Sequence, residues 1–201
     1  MLKNKSYLNG DTETSDLISQ LAALFRGLIN TKVFISVKEE LAFANRYLTL
    51  MSARYGDCVE SDYDIPSELL NYGIIRNVFQ LLIENYFVHG FSADAEKTRR
   101  ILLSGKSTDA THMIFCVTDN GTGLSAEDMQ ILNEKIQEPI RHGEKHYGLK
   151  NLNQRLKLFY GPDCGVKVLP GMDGGLCVQI TMRKMTVEEY ESTVEKGEAI
   201  L

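Results

Sequence analysis

The sequence predicts an α+β fold, a two-layer α/β sandwich in which helices cover one face of a mixed sheet, preceded by a helical hairpin. Two observations support this prediction. Segments with apolar residues at helical spacing are interspersed with short segments in which apolar and polar residues alternate, as in half-buried strands. The order of these segments is helix, helix, strand, helix, two strands, helix, loop, helix, two strands. Helices on one face of a mixed sheet accommodate that order.

Composition describes an ordinary globular chain without a charge bias toward nucleic acid. Of the 201 residues, 43% are hydrophobic and 24% are charged, and 22 basic against 27 acidic residues give a formal net charge of −5. This balance excludes an overall basic surface, so we expect no nucleic-acid partner. The cysteines are far apart and lack a zinc-binding spacing, and we expect reduced thiols at Cys58, Cys116, Cys164 and Cys177.

The N-terminal part of the chain predicts a helical hairpin. Leucines at spacings of three and four residues form one stripe over residues 16–29. A second helix follows Ser36, which can form a capping box with Glu39, and we expect it to end at Gly56. Such hairpins commonly dimerise, so we predict that residues 1–56 are a helical linker and dimerisation region.

Residues 57–185 contain the alternating strand and helix patterns of the sheet domain. Apolar and polar residues alternate from Val59 to Ile65, which predicts a strand with one wet face. A helical region is predicted to open at Pro66 and to continue through IIRNVFQLLIENYFVHG. Two neighbouring strands are then predicted at RRILLSG and THMIFCVTDN.

The rest of the domain repeats this alternation. The segment SAEDMQILNEKIQ predicts a helix capped by Ser125, and the polar, glycine-punctuated EPIRHGEKHYG predicts an irregular loop. An amphipathic helix is predicted in GLKNLNQRLKLFYG, and GVKVLP with GGLCVQITMRK predicts a hairpin. Residues 186–201 are predicted to be a charged tail with a short helix.

The helix in FQLLIENYFVHG carries polar side chains within an apolar pattern. Apolar residues recur at helical spacing, yet Glu84, Asn85 and His89 interrupt the same turns. A buried polar group without a partner costs roughly 1–3 kcal/mol. Ligand contact explains Glu84 and Asn85 economically, whereas His89 taken alone fits a satisfied histidine at a helix end.

Two later segments have features of ligand sites. In VTDNGTGLSAED a strand leads into a glycine-rich loop and a capped helix, which favours a ligand loop over a hairpin turn. Asp119 at the strand end can accept a hydrogen bond from a ligand amine. In HYGLKNLNQRL a glycine precedes an amphipathic helix, and the free N–H groups and dipole of a helix N-terminus favour phosphate.

These three segments, in this order, resemble the motifs of a known family. IENYFVHG, DNGTGL and YGLKNLNQRLKLFYG look like the N box and the two glycine boxes of the ATP-binding domain of sensor histidine kinases. That Bergerat-type fold is shared with type II topoisomerases, heat-shock ATPases of the ninety-kilodalton class and mismatch-repair ATPases. The subfamily that the wording resembles is the LytS-like kinases, and EELAFANRYLTLMSARYGD is similar to their linking helix.

The resemblance implies ATP and Mg²⁺ as cofactors and gives roles to particular residues. Asn85 would coordinate the Mg²⁺ that bridges the ATP phosphates, and Glu84 would assist it, so these two are the implied catalytic residues. An Asn carbonyl oxygen suits this hard cation. Asp119 would bond the adenine amino group. The implied cofactor-binding residues are Asn85, His89, Asp119, Gly121, Gly123, Lys145, Gly148, Leu149 and Lys150.

Glycines and basic residues complete the implied site. Gly121 and Gly123 would leave room for the nucleotide, and Gly148 would open the helix at the phosphates. The sequence departs from the family wording at Tyr86, where alanine is usual, at Val88, where lysine is usual, and at His146, where glycine is usual. We hypothesise that nearby basic residues supply the missing charge, namely Arg141, Lys145, His146 and Lys150.

The function that the resemblance implies is transfer of the ATP γ-phosphoryl group to a histidine outside this chain, for relay to a response regulator. The implied partners are that response regulator, the upstream sensor or transmembrane and phosphoacceptor regions of the same protein, and a second copy in a homodimer. We therefore expect the cytoplasmic portion of a membrane-anchored bacterial protein. Transfer to an imidazole needs positioning and charge neutralisation more than covalent catalysis by the protein.

Two alternatives stay open at this point. An ATPase or anti-sigma-type serine kinase of the same superfamily usually has a Glu four residues before the magnesium-binding Asn, and Leu81 at that position cannot accept a proton. The other alternative is a non-catalytic nucleotide-binding or dimerisation module with a degenerate ATP pocket. The departures at Val88 and His146 favour this second alternative.

Overall fold

The structure is a computed structural model, and it describes residues 32–55, 59–90, 98–140 and 148–195. The helices in these ranges are α1 (Val37–Tyr55), α2 (Val78–Asn85), α3 (Ala126–Gln137), α4 (Gly148–Tyr160) and α5 (Val187–Glu195). The strands are β1 (Phe34–Ser36), β2 (Val59–Asp64), β3 (Gly73–Ile75), β4 (Arg99–Ser107), β5 (His112–Asp119), β6 (Gly165–Pro170) and β7 (Leu176–Arg183). Short helical turns add Ser67–Leu69, Tyr86–Gly90 and Met172–Gly174.

The main sheet has five strands in the order β2-β4-β5-β7-β6. Strand β2 is parallel to β4, and the other neighbours are antiparallel, so the predicted mixed sheet is confirmed. Burial alternates along the central strand β5, where Met113, Phe115 and Val117 are buried and the intervening side chains are partly exposed. This alternation gives the sheet one face that packs into the helical layer, as the α+β prediction requires.

A second sheet of two strands was not predicted. Strands β1 and β3 pair antiparallel, with Phe34 opposite Ile75 and Ile35 opposite Ile74, all of them buried. The prediction of helix through IIRN is therefore wrong, because Asn77 adopts a left-handed conformation with φ 64° and α2 begins only at the next residue. A short run of apolar residues fits a buried strand and a buried helix equally well.

Helix α1 begins as the sequence predicts. The backbone N–H of Ser36 donates to Glu39 Oε2 at 2.9 Å, and the N–H of Glu39 donates to Ser36 Oγ at 3.2 Å, which is a reciprocal capping box. The helix ends at Tyr55, next to the predicted stop. The first helix of the predicted hairpin, residues 16–29, lies outside the described residues.

The short helix predicted in the C-terminal segment is present and belongs to the core. Tyr190 of α5 is fully buried, and its ring stacks on Phe34 with centroids 4.2 Å apart. The N–H of Gly73 in β3 donates to the carbonyl of Met185 at 2.6 Å. The segment that the sequence sets apart as a tail thus covers the two-stranded sheet.

Amide side chains cover the free edge of strand β6. Asn133 of α3 forms a pair of 2.8 Å hydrogen bonds with the backbone N–H and carbonyl of Val168. Asn153 of α4 accepts from the N–H of Val166 at 2.9 Å and donates to the carbonyl of Ile136 at 2.9 Å. These bonds protect an edge that could otherwise pair with another strand, and they fix α3 against the sheet.

Candidate functional site

A cavity of about 760 Å³ lies where α2, the end of β5, α3 and the start of α4 meet. Its apolar walls include side chains from the inner face of the sheet, such as Val117 and Val178. It brings together seven of the site residues predicted from the sequence, and these are Asn85, His89, Asp119, Gly123, Gly148, Leu149 and Lys150. Segments far apart in the chain thus form one concave site of the size that small-molecule ligands occupy.

Asp119 stands at the end of β5, where the central strand reaches the cavity. Its side chain is only 7% exposed, and Oδ1 accepts hydrogen bonds from the backbone N–H of Gly121 at 2.8 Å and of Leu176 at 3.2 Å. Two backbone donors on one oxygen hold the carboxylate in a fixed orientation at the cavity wall. A carboxylate held in this way can accept a hydrogen bond from a ligand amine.

The glycines after Asp119 allow close packing of backbone segments. Gly123 has φ +64°, and a Cβ there would collide with the carbonyl oxygen of Gly174. A Cβ on Gly121 would meet the carbonyl oxygen of Gly90, and the N–H of Thr122 donates to that same oxygen at 3.1 Å. In this structure the space left by the two glycines is occupied by protein backbone, and Gly121 does not line the cavity.

Asn85 is the last residue of α2 and contributes its side chain to the cavity. Its Nδ2 atom is buried and has no hydrogen-bond partner among the described residues. An unsatisfied buried donor is unfavourable unless a ligand supplies the acceptor. A phosphate oxygen would satisfy this nitrogen, and the carbonyl oxygen of the same amide suits a hard cation such as Mg²⁺. The residues present therefore fit a metal-bound phosphate group at this position.

The other polar residues of the N box do not all face the cavity. Glu84 lies outside the cavity lining, and its Oε1 accepts from Gln80 Nε2 at 2.7 Å. Burial is the main cause, and the negative charge of Glu84 the second, that raises the pKa of Tyr47 in α1 to about 12. The Glu84 carboxylate therefore lies on the side of α2 that faces α1. His89 is exposed and lines the cavity, whereas Val88 is 71% exposed and does not.

Two lysines of the described residues line the cavity. Lys150 of α4 is 13% exposed, and its Nζ lies 3.8 Å from Glu138 Oε2. Lys135 in the last turn of α3 was not predicted from the sequence. It lies three residues after Leu132 and directly before Ile136, and both of these residues also line the cavity. Three other basic residues of the charge hypothesis lie outside the described residues, namely Arg141, Lys145 and His146.

Tyr86 is a further wall residue that the sequence reasoning did not assign to the site. It stands where the N box usually has alanine, and the residue is 4% exposed. Burial, with a smaller contribution from the Asp119 charge, raises the pKa of Tyr86 to about 12. Its hydroxyl lies 3.5 Å from Oδ1 of Asn120, which also accepts from the N–H of Arg100 at 2.8 Å. The signal in the sequence was the departure from the family wording.

Comparison with known proteins supports the histidine kinase interpretation. A family model described as histidine kinase matches residues 1–59. The sensor protein kinase HptS of Staphylococcus aureus is 23% identical over 176 residues, which cover 86% of this chain and 33% of HptS. The chain thus spans about a third of the length of the curated relatives that it matches. None of these matches distinguishes the LytS-like subfamily.

Solved structures share the fold. The catalytic domain of histidine kinase ThkA is 17% identical with a TM-score of 0.55, over 76% of this chain and 97% of that one. The ATP-binding domain of PrrB from Mycobacterium tuberculosis is 16% identical with a TM-score of 0.50, over 78% of this chain and 100% of that one. ThkA in complex with the response regulator TrrA matches with a TM-score of 0.50 and 16% identity, over 92% of this chain and 52% of that chain.

Proposed function

We propose that this chain, a catalytic region of the sensor histidine kinase family, binds ATP in the cavity and transfers its γ-phosphoryl group to a histidine outside the chain. The observation that carries this proposal is the meeting of three separate motifs at one cavity. Among their residues is Asn85, whose Nδ2 atom is buried and lacks a hydrogen-bond partner in the described ranges. In the reaction the bond from the γ-phosphorus to the bridging oxygen breaks and a bond to an imidazole nitrogen forms. ADP leaves, and the imidazole loses a proton.

The adenine end of the site is proposed at Asp119. The adenine amino group is a donor, and the Asp119 carboxylate is an acceptor that two backbone N–H groups hold in place. The face of the aromatic adenine ring would lie against the aliphatic side chains of the sheet, including Val117 and Val178. A few oriented polar groups in a largely apolar pocket are typical of cofactor recognition.

The phosphate end of the site is proposed at Asn85 and the first turn of α4. The N–H groups of Gly148 and Leu149, in the first turn of α4, have no acceptor within their own helix, and together with the positive end of the helix dipole they favour an anion. Asn85 would hold Mg²⁺ through its carbonyl oxygen. When bound, this ion neutralises charge on the phosphate oxygens during phosphoryl transfer. Lys150 and Lys135 add positive charge at the same wall.

The proposed partners follow from the relatives. ThkA is a histidine kinase that forms a complex with a response regulator, and we propose a response regulator as the partner that receives the phosphoryl group here. We also propose an acceptor histidine and a sensor in other regions of the whole protein, a membrane anchor, and a homodimer. No helix in the described ranges combines the length and the apolar content that crossing a bilayer requires.

A second candidate is a nucleotide-binding or dimerisation module without phosphotransfer activity. The observations that favour it are the exposed Val88 in place of a lysine and the glycine loop packed against neighbouring backbone. A serine kinase or ATPase is disfavoured because Leu81, four residues before Asn85, offers no proton acceptor.

Phosphotransfer tests the proposal. The whole protein that contains this chain and its acceptor region would be incubated with Mg²⁺ and γ-labelled ATP. We expect an acid-labile, base-stable phosphoryl group on the wild-type protein, as a phosphohistidine requires, and none on Asn85→Ala. ATP binding without any phosphoryl transfer would instead identify the non-catalytic module.

A further inference from the structure

A buried carboxylate from α1 connects that helix to the start of α2. Glu40 is fully buried, and its Oε2 accepts from the backbone N–H of Asn77 and its Oε1 from the backbone N–H of Phe79, both at 3.0 Å. The two oxygens thus bond to backbone donors at the start of another helix, and the backbone N–H of Gln80 adds to them. Glu40 lies 37 residues before Asn77 and 39 residues before Phe79, so these hydrogen bonds join distant parts of the chain.

Helix α2 depends on this carboxylate because it has no cap of its own. Asn77 at its start has a left-handed backbone conformation, and its side chain makes no capping hydrogen bond. The first N–H groups of any helix lack intrahelical partners and need an acceptor from elsewhere. A negative charge at this position also interacts favourably with the helix dipole. Glu40 therefore performs for α2 the role that a local Ser, Thr, Asp or Asn usually performs.

The charge of Glu40 is balanced by arginines that reach the same place. Arg76 is 7% exposed, its guanidinium lies 4.8 Å from the ring centroid of Phe43 in α1, and its positive charge acts on Glu40. Arg155 of α4 interacts with Glu40 electrostatically and donates to the carbonyl of Arg76 at 3.4 Å. Three helices, α1, α2 and α4, thus converge on one buried carboxylate.

The two helices held by this cluster are the ones that form the phosphate end of the cavity. Helix α2 has eight residues, so its axis is about 12 Å long, and Asn85 is at the end opposite Glu40. The helix is short and packed along its length, with Val78, Phe79 and Leu82 buried, so it resists bending and shifts as one rigid body. A displacement at its first turn would therefore move Asn85 relative to Gly148.

We propose that Glu40 is a positioning residue that couples α1 to the nucleotide site by holding α2, and with it Asn85, in the geometry that binds phosphate. This inference rests on the proposed function. It gives α1, which belongs to the segment matched by the histidine kinase family model, a direct route to the cavity. A shift of α1 that withdraws the carboxylate leaves the first turn of α2 without its acceptor.

The test compares Glu40→Gln with Glu39→Gln. The glutamine side chain keeps the shape of Glu40 but has a single acceptor oxygen for the backbone donors that the two carboxylate oxygens serve. Glu39 is the adjacent residue, and its carboxylate bonds only within its own capping box among the hydrogen bonds of the described residues, so its variant controls for α1 stability. Measurements would be made at about pH 8, because burial raises the pKa of Glu40 to about 7. Glu40→Asp replaces Glu40→Gln should the latter unfold, since it keeps the charge and retracts it from α2.

Two readouts separate positioning from general stability. In the nucleotide-free protein, the NMR resonances of the Asn85 side-chain amide should shift in Glu40→Gln and not in Glu39→Gln. The affinity for Mg-ATP should fall about tenfold in Glu40→Gln, which is a loss of about 1.4 kcal/mol in binding free energy. In Glu39→Gln it should fall less than about twofold. In an Asn85→Ala background the Glu40→Gln change should add less than about twofold, because both changes act on one interaction.

Full additivity in that cycle, or unshifted Asn85 resonances with wild-type affinity, would overturn the role of Glu40. Absence of Mg-ATP binding by the wild-type protein is a different result, because it contradicts the proposed function. The nucleotide-free NMR comparison would still test the position of Asn85.

Discussion

The side-chain amide of Asn85 lies directly against Gly148, so the end of α2 meets the start of α4 without an intervening side chain. A Cβ at position 148 would lie 3.5 Å from Asn85 Oδ1 and 3.8 Å from Nδ2, which are ordinary contact distances. The glycine is therefore not required by the packing of the described residues around it. The absence of a side chain at this position lets a ligand approach the Asn85 amide and the first turn of α4 closely.

This relationship predicts that Gly148→Ala separates binding from stability. Alanine fits the site without a steric clash and favours helix by up to about 1 kcal/mol, so the melting temperature should stay the same or rise. The added methyl group occupies the approach of phosphate to Asn85, and Mg-ATP affinity should fall at least about tenfold. Thermal unfolding and calorimetry measure the two effects. Leu158→Ala, 69% exposed on the same helix, should leave the affinity unchanged.

Asn85→Ala should show the same separation more strongly. The Asn85 amide nitrogen has no hydrogen-bond partner in the part of the chain that the structure describes, so its removal should change the free energy of unfolding by less than about 1 kcal/mol, measured by urea denaturation. The same change should lower Mg-ATP affinity about a hundredfold, to a value that titration can still measure. Asn45→Ala, on the exposed surface of α1, is the matched control. A loss of several kcal/mol in Asn85→Ala would show that the amide is structural.

Val88→Lys should strengthen nucleotide binding at no cost to the core. Val88 is 71% exposed, so the stability should change by no more than about 0.5 kcal/mol. A lysine here matches the usual N box of the histidine kinases that the sequence resembles, and its charge should raise Mg-ATP affinity several-fold at low salt, with the gain fading as salt is added. Val88→Gln adds length without charge and should give no gain. An equal gain with glutamine would exclude electrostatic attraction as the cause.

Glu40 should make stability depend on pH in a specific direction. Burial, only partly offset by the backbone hydrogen bonds, raises its pKa from 4.5 to about 7 in the folded state. Between these values the folded protein binds the additional proton, so the contribution of this group to stability is present below about pH 4.5 and is lost as pH rises through about 7. A rise of this size in the pKa corresponds to about 3 kcal/mol of stability. The free energy of unfolding of the wild type minus that of Glu40→Gln, measured by urea denaturation, should fall between about pH 5 and pH 8. A difference that does not change with pH would contradict this prediction.

Much of the site could be predicted from sequence because its residues occur within local motifs. Ser36 with Glu39 and Ser125 mark helix starts through neighbours three residues away, and the structure has both caps. Asn85, Asp119 and Gly148 each occur in a motif whose wording resembles the family, and the fold brings them to one cavity.

Features that depend on distant pairing were not predictable in the same way. The strand at Ile74 and Ile75 exists because Phe34 and Ile35 pair with it, and local periodicity carries no sign of that partner. Glu40 looks like one more charged residue at the start of α1, yet its carboxylate oxygens serve a helix that begins 38 residues later. Lys135 lines the cavity only because α3 is fixed to the edge of β6.

The central claim is that Asp119 and Asn85 form two ends of one nucleotide site, and calorimetric titration with Mg-ATP tests it most directly. The wild-type protein should bind one equivalent of nucleotide. Asp119→Asn keeps an oxygen for the two backbone donors but replaces the other oxygen with a donor, so it should lose about 1–3 kcal/mol of binding free energy. Asp62→Asn, on the exposed strand β2, should bind as the wild type does. No heat at millimolar nucleotide, or equal affinity in Asp119→Asn, would contradict the claim.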